Sequence, residues 1–384
     1  MTVANAAVVE PFEIAVSDES LDDLRSRLAR TRWPDAVEDA GWDYGTDLEY
    51  ARELCDYWRG PFDWRAQEEA LNALPQYRAD IDGLGIHFVH VKGEGPNPIP
   101  LVLTHGWPSS FCEMRKVIGP LSNPAAYGGD PADAFDVVAP SLPGYGFSDA
   151  PRERGCDTNR IADIWVQLMV DVLGYERFGA QGGDWGAAVN AGLGTRHAER
   201  LIGLHYNMLT PPIDEATLTL DERIWWEEVK AYRAQEWGYV QLQSTKPQSL
   251  AFGLADSPSG LAAWIIEKWR RWSDCAGDIE SVYTKDELLT NIMIYWITNS
   301  ISSSLRLYFE SFGPMTGPPA YSGVDVPTGV AAFNEVNRPP RALCEPHFDL
   351  RRFTVMDRGG HFPAMENPDG LIDEVRAFFR PLRT

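Results

Sequence analysis

The chain has 384 residues, 44% of them hydrophobic and 23% charged, with a net charge of −22, which fits a soluble globular protein with ample core. So acidic a balance excludes nucleic acid and anionic membrane surfaces as partners and says nothing against a neutral small molecule. Five scattered cysteines (Cys55, Cys112, Cys156, Cys275, Cys344) without C-x-x-C spacing predict reduced thiols in the cytoplasm, and no H-E-x-x-H or similar cluster calls for a metal.

The first ten residues show neither a basic signal-peptide start nor an 18-residue apolar run, so no anchor is expected. Residues from about 11 to 85 read mainly as helices. Ser17 or Asp18 caps a segment with Leu21, Leu24 and Leu28 at helical spacing, and Trp33-Pro34 ends it. Thr46-x-x-Glu49 has the form of a capping box before an apolar face of Leu48, Ala51, Leu54, Cys55 and Trp58. No candidate catalytic cluster falls in this meander.

Alternation then sets in at Ile86 to Val91, and Pro100 to Thr104 is the short apolar run of a buried parallel strand leading into His105-Gly106-Trp107-Pro108. Asp136 to Ala139, a helical stretch from Thr158 to Leu173, the run Arg177 to Ala180 and another at Leu201 to Tyr206 continue the alternation of strands and helices. Such alternation predicts a mostly parallel α/β sheet, whose active site lies at the carboxyl ends of its strands. At one such end stands Gln181-Gly182-Gly183-Asp184-Trp185-Gly186. Small residues flanking one reactive side chain at a strand-to-helix crossing describe a nucleophile elbow. The raised residue is Asp184, and no G-x-S-x-G occurs anywhere, so the serine of an ordinary esterase is missing.

Between residues 211 and 314 three helix-like segments replace the alternation, two of them opened by Thr219-x-x-Glu222 and Thr284-x-x-Glu287. Seven of the fourteen tryptophans lie here, which predicts a helical lid over the elbow with a water-poor cavity beneath. Strands at 326–330 and 352–356 and a closing helix at 371–379 complete the chain. His361, in the loop Arg358 to Pro363, supplies the histidine of the order nucleophile, acid, histidine. For the acid, Glu335 follows the preceding strand; Asp325, Glu345 and Asp349 are rivals.

Taken together, His105-Gly106-Trp107-Pro108, Ser141-Leu142-Pro143-Gly144-Tyr145-Gly146-Phe147-Ser148, Gly182 to Gly186, Ser244 to Pro247, Asp256 to Trp264 and Gly359-Gly360-His361-Phe362 resemble the microsomal-type epoxide hydrolases, from about residue 10 to the C-terminus. The resemblance implies an α/β-hydrolase fold divided into a meander (1–85), a first core part (86–210), a lid (211–314) and a second core part (315–384). It implies Asp184 as nucleophile, Glu335 as the acid orienting His361, the amides of Trp107 and Trp185 as oxyanion hole, and lid tyrosines Tyr239 and Tyr308 as proton donors. The family commonly carries a proline shortly before the acid, where this chain has Phe333-Asn334-Glu335. No counterpart of the animal members' membrane anchor is expected, and the chain is expected to be more similar to soluble bacterial members, some of them from enediyne-type antibiotic pathways.

The implied chemistry suits the residues. A carboxylate is ionised at pH 7 and can attack an sp³ carbon directly, whereas the departing alkoxide needs a proton that a phenol can give. The expected partners are a small hydrophobic, aryl-substituted epoxide and water, with no cofactor and no metal; a homodimer is compatible with this reading. A haloalkane or haloacid dehalogenase shares the Asp-Trp pair but has no use for two phenols, and a non-catalytic binding protein on the same fold has no use for the full set.

Overall fold

The computed structural model describes residues 8–312, 321 and 324–383. The stretch 1–7 within the N-terminal segment read for targeting signals, and the expected lid boundary at 314/315, lie outside them. Among the described residues nine strands form one sheet: β1 Val9–Pro11, β2 Gln76–Ile81, β3 Leu84–Val91, β4 Ile99–Thr104, β5 Phe135–Pro140, β6 Phe178–Gly182, β7 Leu201–Tyr206, β8 Val324–Ala332 and β9 Phe348–Val355. Their order is β1-β2-β3-β5-β4-β6-β7-β8-β9. The first four are joined antiparallel, and every pairing from β5 through β4 to β9 is parallel. Leu101, Val102, Val137, Val138, Phe178, Ala180 and Leu204 are fully buried, as central parallel strands covered on both faces require. The chain places β5 on one side of β4 and β6 on the other, so the carboxyl ends of β4 and β6 flank a switch point where a crevice must open.

The segment read mainly as helices also supplies the antiparallel edge, β1 and β2. Its helix Asp18–Ala29 is capped by Ser17 and buries Leu21, Leu24 and Leu28. Thr46 is no cap. Asp47 takes that place, accepting from the Tyr50 N–H at 2.8 Å, while Thr46 donates its hydroxyl to the Ala263 carbonyl at 2.6 Å and so ties the meander to the lid. An aspartate one residue closer to the apolar run competes successfully for the same free N–H groups.

Among the described residues, six α-helices, not three, lie between β7 and β8: Leu220–Glu236, Gly238–Thr245, Pro247–Asp256, Pro258–Trp272, Lys285–Thr298 and Ile301–Phe312. The subdivision has local causes. Pro247 and Pro258 open helices at the first position, where a missing N–H costs nothing. Asn299, at φ 52°, stops the helix Lys285–Thr298 in the left-handed region. The boxes at Thr219/Glu222 and Thr284/Glu287 are both formed reciprocally. The lid is fastened to the core beneath it by Asn291 Nδ2 to the Pro108 carbonyl and Tyr295 Oη to the Ser109 carbonyl, each at 2.7 Å.

Candidate active site

Asp184 opens the helix Asp184–Arg196 at the carboxyl end of β6, with φ at 46°. A side chain rarely adopts that backbone region, and one that does at a strand-to-helix turn is presented outward. The turn is possible because its neighbours are bare: a Cβ on Gly186 would stand 2.2 Å from the Thr104 carbonyl oxygen, and one on Gly182 would stand 2.7 Å from Gly186. Thr104 is in turn held by Trp165 Nε1 at 3.0 Å, so β4 and β6 deliver their ends side by side.

Around the Asp184 carboxylate the expected groups converge. The Trp107 N–H donates to Oδ1 at 2.9 Å, and the Trp185 N–H also bonds this carboxylate. His361 Nε2 lies 3.6 Å from Oδ2, and Nδ1 of the same ring lies 3.4 Å from Glu335 Oε1. That second contact is an ion pair off the hydrogen-bond axis, since Oε1 has no hydrogen-bond partner among the described residues. Such contacts commonly tighten only when substrate is bound. Of the rival acids, Asp325 is exposed at the start of β8, Glu345 pairs with Arg341 and Asp349 with Arg351.

Tyr239 and Tyr308 come from two lid helices, hydrogen-bond to one another and share one cavity with Asp184 and His361. The same two tryptophans that offer their amides also seat the phenols: Trp107 stacks on Tyr239 at 5.3 Å, and Trp185 meets Tyr308 edge-on at 4.6 Å. The cavity measures about 690 Å³, and Trp226, Trp237, Trp272, Tyr232 and Phe312 add to its aromatic wall. Burial, joined by the Asp184 charge, raises both phenols well above their ordinary range, so they stay protonated. Burial also raises Asp184, against the pull of His361 and the two amides. For His361 burial acts to lower the imidazole, but the carboxylates of Glu335, Asp184 and Glu113 outweigh it and bring it to about 9.

Two further carboxylates had no sequence signal. Glu366 accepts the N–H groups of Asp274, Gly360 and Phe362, each at 2.8 Å, which clamps the His361 loop against the lid. Glu113, after the His105-Gly106-Trp107-Pro108 loop, is buried with Ser109 Oγ donating to it at 2.5 Å. A Glu three residues after Pro363 and a Glu amid Phe111, Cys112 and Met114 look like surface or helix-face residues until the fold half-buries the first and buries the second.

Against known proteins, residues 9–114 match the family described as epoxide hydrolase N terminus, and residues 99–203 match the alpha/beta hydrolase fold. A protein of Stigmatella aurantiaca named "Putative epoxide hydrolase" is 43% identical over 98% of this chain and 86% of its own length. Epoxide hydrolase 1 of Oryctolagus cuniculus is 37% identical over 96% of this chain and 88% of its own. The crystal structure of juvenile hormone epoxide hydrolase from the silkworm Bombyx mori superimposes with a TM-score of 0.84 at 32% identity, covering 98% and 94% of the two chains. No helix among the described residues is long and apolar enough to cross a membrane.

Proposed function

The chain belongs to the epoxide hydrolases, enzymes of the α/β-hydrolase fold, and from that premise we propose that it opens a hydrophobic, aryl-substituted epoxide through an ester on Asp184. One observation carries this reading: a carboxylate held by two amides faces two protonated phenols across one aromatic cavity, with an imidazole at its flank. In the first step an Asp184 oxygen attacks an epoxide carbon, the C–O bond breaks, and the departing oxygen takes a proton from Tyr239 or Tyr308. Esterification removes the Asp184 charge, one of the anions that hold His361 protonated, so the imidazole becomes a better base when one is needed.

In the second step His361 Nε2 takes a proton from water, the water oxygen attacks Cγ of Asp184, and the Trp107 and Trp185 amides receive the oxyanion. Collapse expels the diol oxygen, which recovers the proton from His361. The acid regenerated on Asp184 returns the proton the phenol gave, so epoxide plus water yields a vicinal diol with nothing left over. The aromatic wall favours flat apolar substituents, and a cavity of about 690 Å³ accepts substrates larger than styrene oxide.

His361→Gln tests the reading because it removes the base and leaves the first step intact. The protein is expected to gain the full mass of a reactive aryl epoxide on the peptide containing Asp184, and to lose that adduct when Asp184→Ala is added. With a haloalkane, a dehalogenase would give an adduct lacking halide. No Asp184 adduct, or one surviving in the double variant, would refute the assignment.

A further inference from the structure

Asp184 and His361 do not only border the aromatic cavity. They also line a second, polar recess of about 10 Å³, together with Glu113, Ser109, Asn207 and Gly183. Tyr239 and Tyr308 line only the larger space. The nucleophile and the base are therefore a partition between an apolar side fit for an epoxide and a polar side of roughly the volume of one water. The recess also has the two to four polar partners that a fixed water needs.

Glu113 is the costly member of this wall. It is 7% exposed and pairs with no cation among the described residues, and its neighbours Phe111, Cys112 and Met114 are apolar and buried. An apolar residue would fill the position at lower cost. Burial raises its carboxyl to about 7, and it lies within electrostatic reach of both His361 and Asp184 while its hydrogen bond goes to Ser109. A carboxyl near two reacting groups but bonded to neither leaves room for a molecule between them.

We propose that the recess between Glu113, Asp184 and His361 seats the water that hydrolyses the Asp184 ester, and that Glu113 is the positioning residue that orients it. The proposal rests on the reading of Asp184 as the esterified nucleophile. The alkyl group then occupies the aromatic side, and water meets Cγ from the polar side. One water proton passes to His361 Nε2, and the other hydrogen points to Glu113. The oxygen joins Cγ and stays in the Asp184 carboxylate when the diol leaves.

Single-turnover kinetics with styrene oxide on Glu113→Gln and Glu113→Leu separate the two steps. Ester hydrolysis should slow about 10- to 100-fold, the cost of misplacing one reactant, with ester formation changed less than about twofold and the larger loss in the leucine variant. Equal slowing of both steps would make Glu113 merely structural, and an unchanged hydrolysis rate would empty the recess of its role. His361→Gln run alongside keeps the two ideas apart. If it accumulates ester on Asp184 while both Glu113 variants hydrolyse at the parent rate, only the recess proposal falls. If it forms no ester, the Asp184 reading fails and takes this proposal with it.

Discussion

At the scale of single residues, the two phenols offer the sharpest test of how the ring-opening oxygen is protonated. Each packs against the indole of a tryptophan whose own amide bonds the Asp184 carboxylate, so both are fixed relative to that side chain. A hydrogen bond to a charged oxygen is worth about 1.5–3 kcal/mol, so Tyr239→Phe or Tyr308→Phe should slow ester formation about 10- to 100-fold. The double change should remove the acid altogether, about 10²–10⁴-fold. Rapid-quench measurement of the ester checks this, and a double variant alkylating at the parent rate would exclude the phenols. Asp184, His361 and the two tyrosines stood out in the sequence because glycine-rich turns or family motifs surround them. Glu335 stood out only by its distance from β8, and the structure places it, not its rivals, at the imidazole. Glu113 was invisible, because nothing local says that its helix end will face the back of Asp184.

At the scale of elements, the His361 loop shows how the lid also contributes by holding the backbone of a core loop. Its backbone is pinned by Glu366, which accepts from the Gly360 and Phe362 N–H groups and from that of lid residue Asp274, by the Trp272 carbonyl accepting from the His361 N–H at 3.0 Å, and by Asp274 Oδ2 accepting from Gly359 at 3.0 Å. Glu366→Ala would strip a half-buried acceptor from three donors at once, two of them on the buried residues Gly360 and Phe362. Unpaired buried donors cost about 1–3 kcal/mol each, so a melting temperature several degrees lower is expected, with ester hydrolysis impaired more than ester formation. A shift below about 1 °C with normal hydrolysis would show that the clamp is redundant. Strand and helix alternation, the elbow and two capping boxes were legible because they are local patterns. The Glu366 clamp was not, since one of its donors lies 92 residues away. The number of lid helices was legible in principle from Pro247 and Pro258, while Thr46 misled because its hydroxyl satisfies a lid carbonyl in place of its own helix.

At the scale of the whole molecule, the buried histidines set how the protein should respond to acid. Burial lowers His87 to about 3, and His90, His105 and His205 to about 4. For His105 the reason is visible in its bonds: Nε2 accepts from the Leu142 N–H at 3.1 Å, so a second ring proton would meet a donor. Between about pH 6.5 and 4 the unfolded chain binds these four protons and the folded chain does not. The stability they contribute is therefore full above pH 6.5 and lost as the pH falls, by up to about 1.4 kcal/mol per proton per pH unit. Glu113 works the other way, because its folded form keeps a proton between about pH 4.5 and 7 that the unfolded form has released. Asp184 and Glu366, also raised, act in the same sense as Glu113, and the raised His361 adds stability below pH 6.5 that is lost on rising through about 9. Four histidines stand against three opposing carboxyls near pH 5.5, so stability should peak near neutrality and fall toward pH 5. His205 isolates the cause. Both its ring nitrogens lack hydrogen-bond partners among the described residues, and its ring packs 5.8 Å from that of Phe378. His205→Leu should leave melting at pH 7 nearly unchanged, yet reduce proton uptake on unfolding at pH 5.5 by close to one. Calorimetry in buffers of different ionisation enthalpy reads that number directly, and an undiminished uptake would mean that the acid sensitivity comes from elsewhere in the chain.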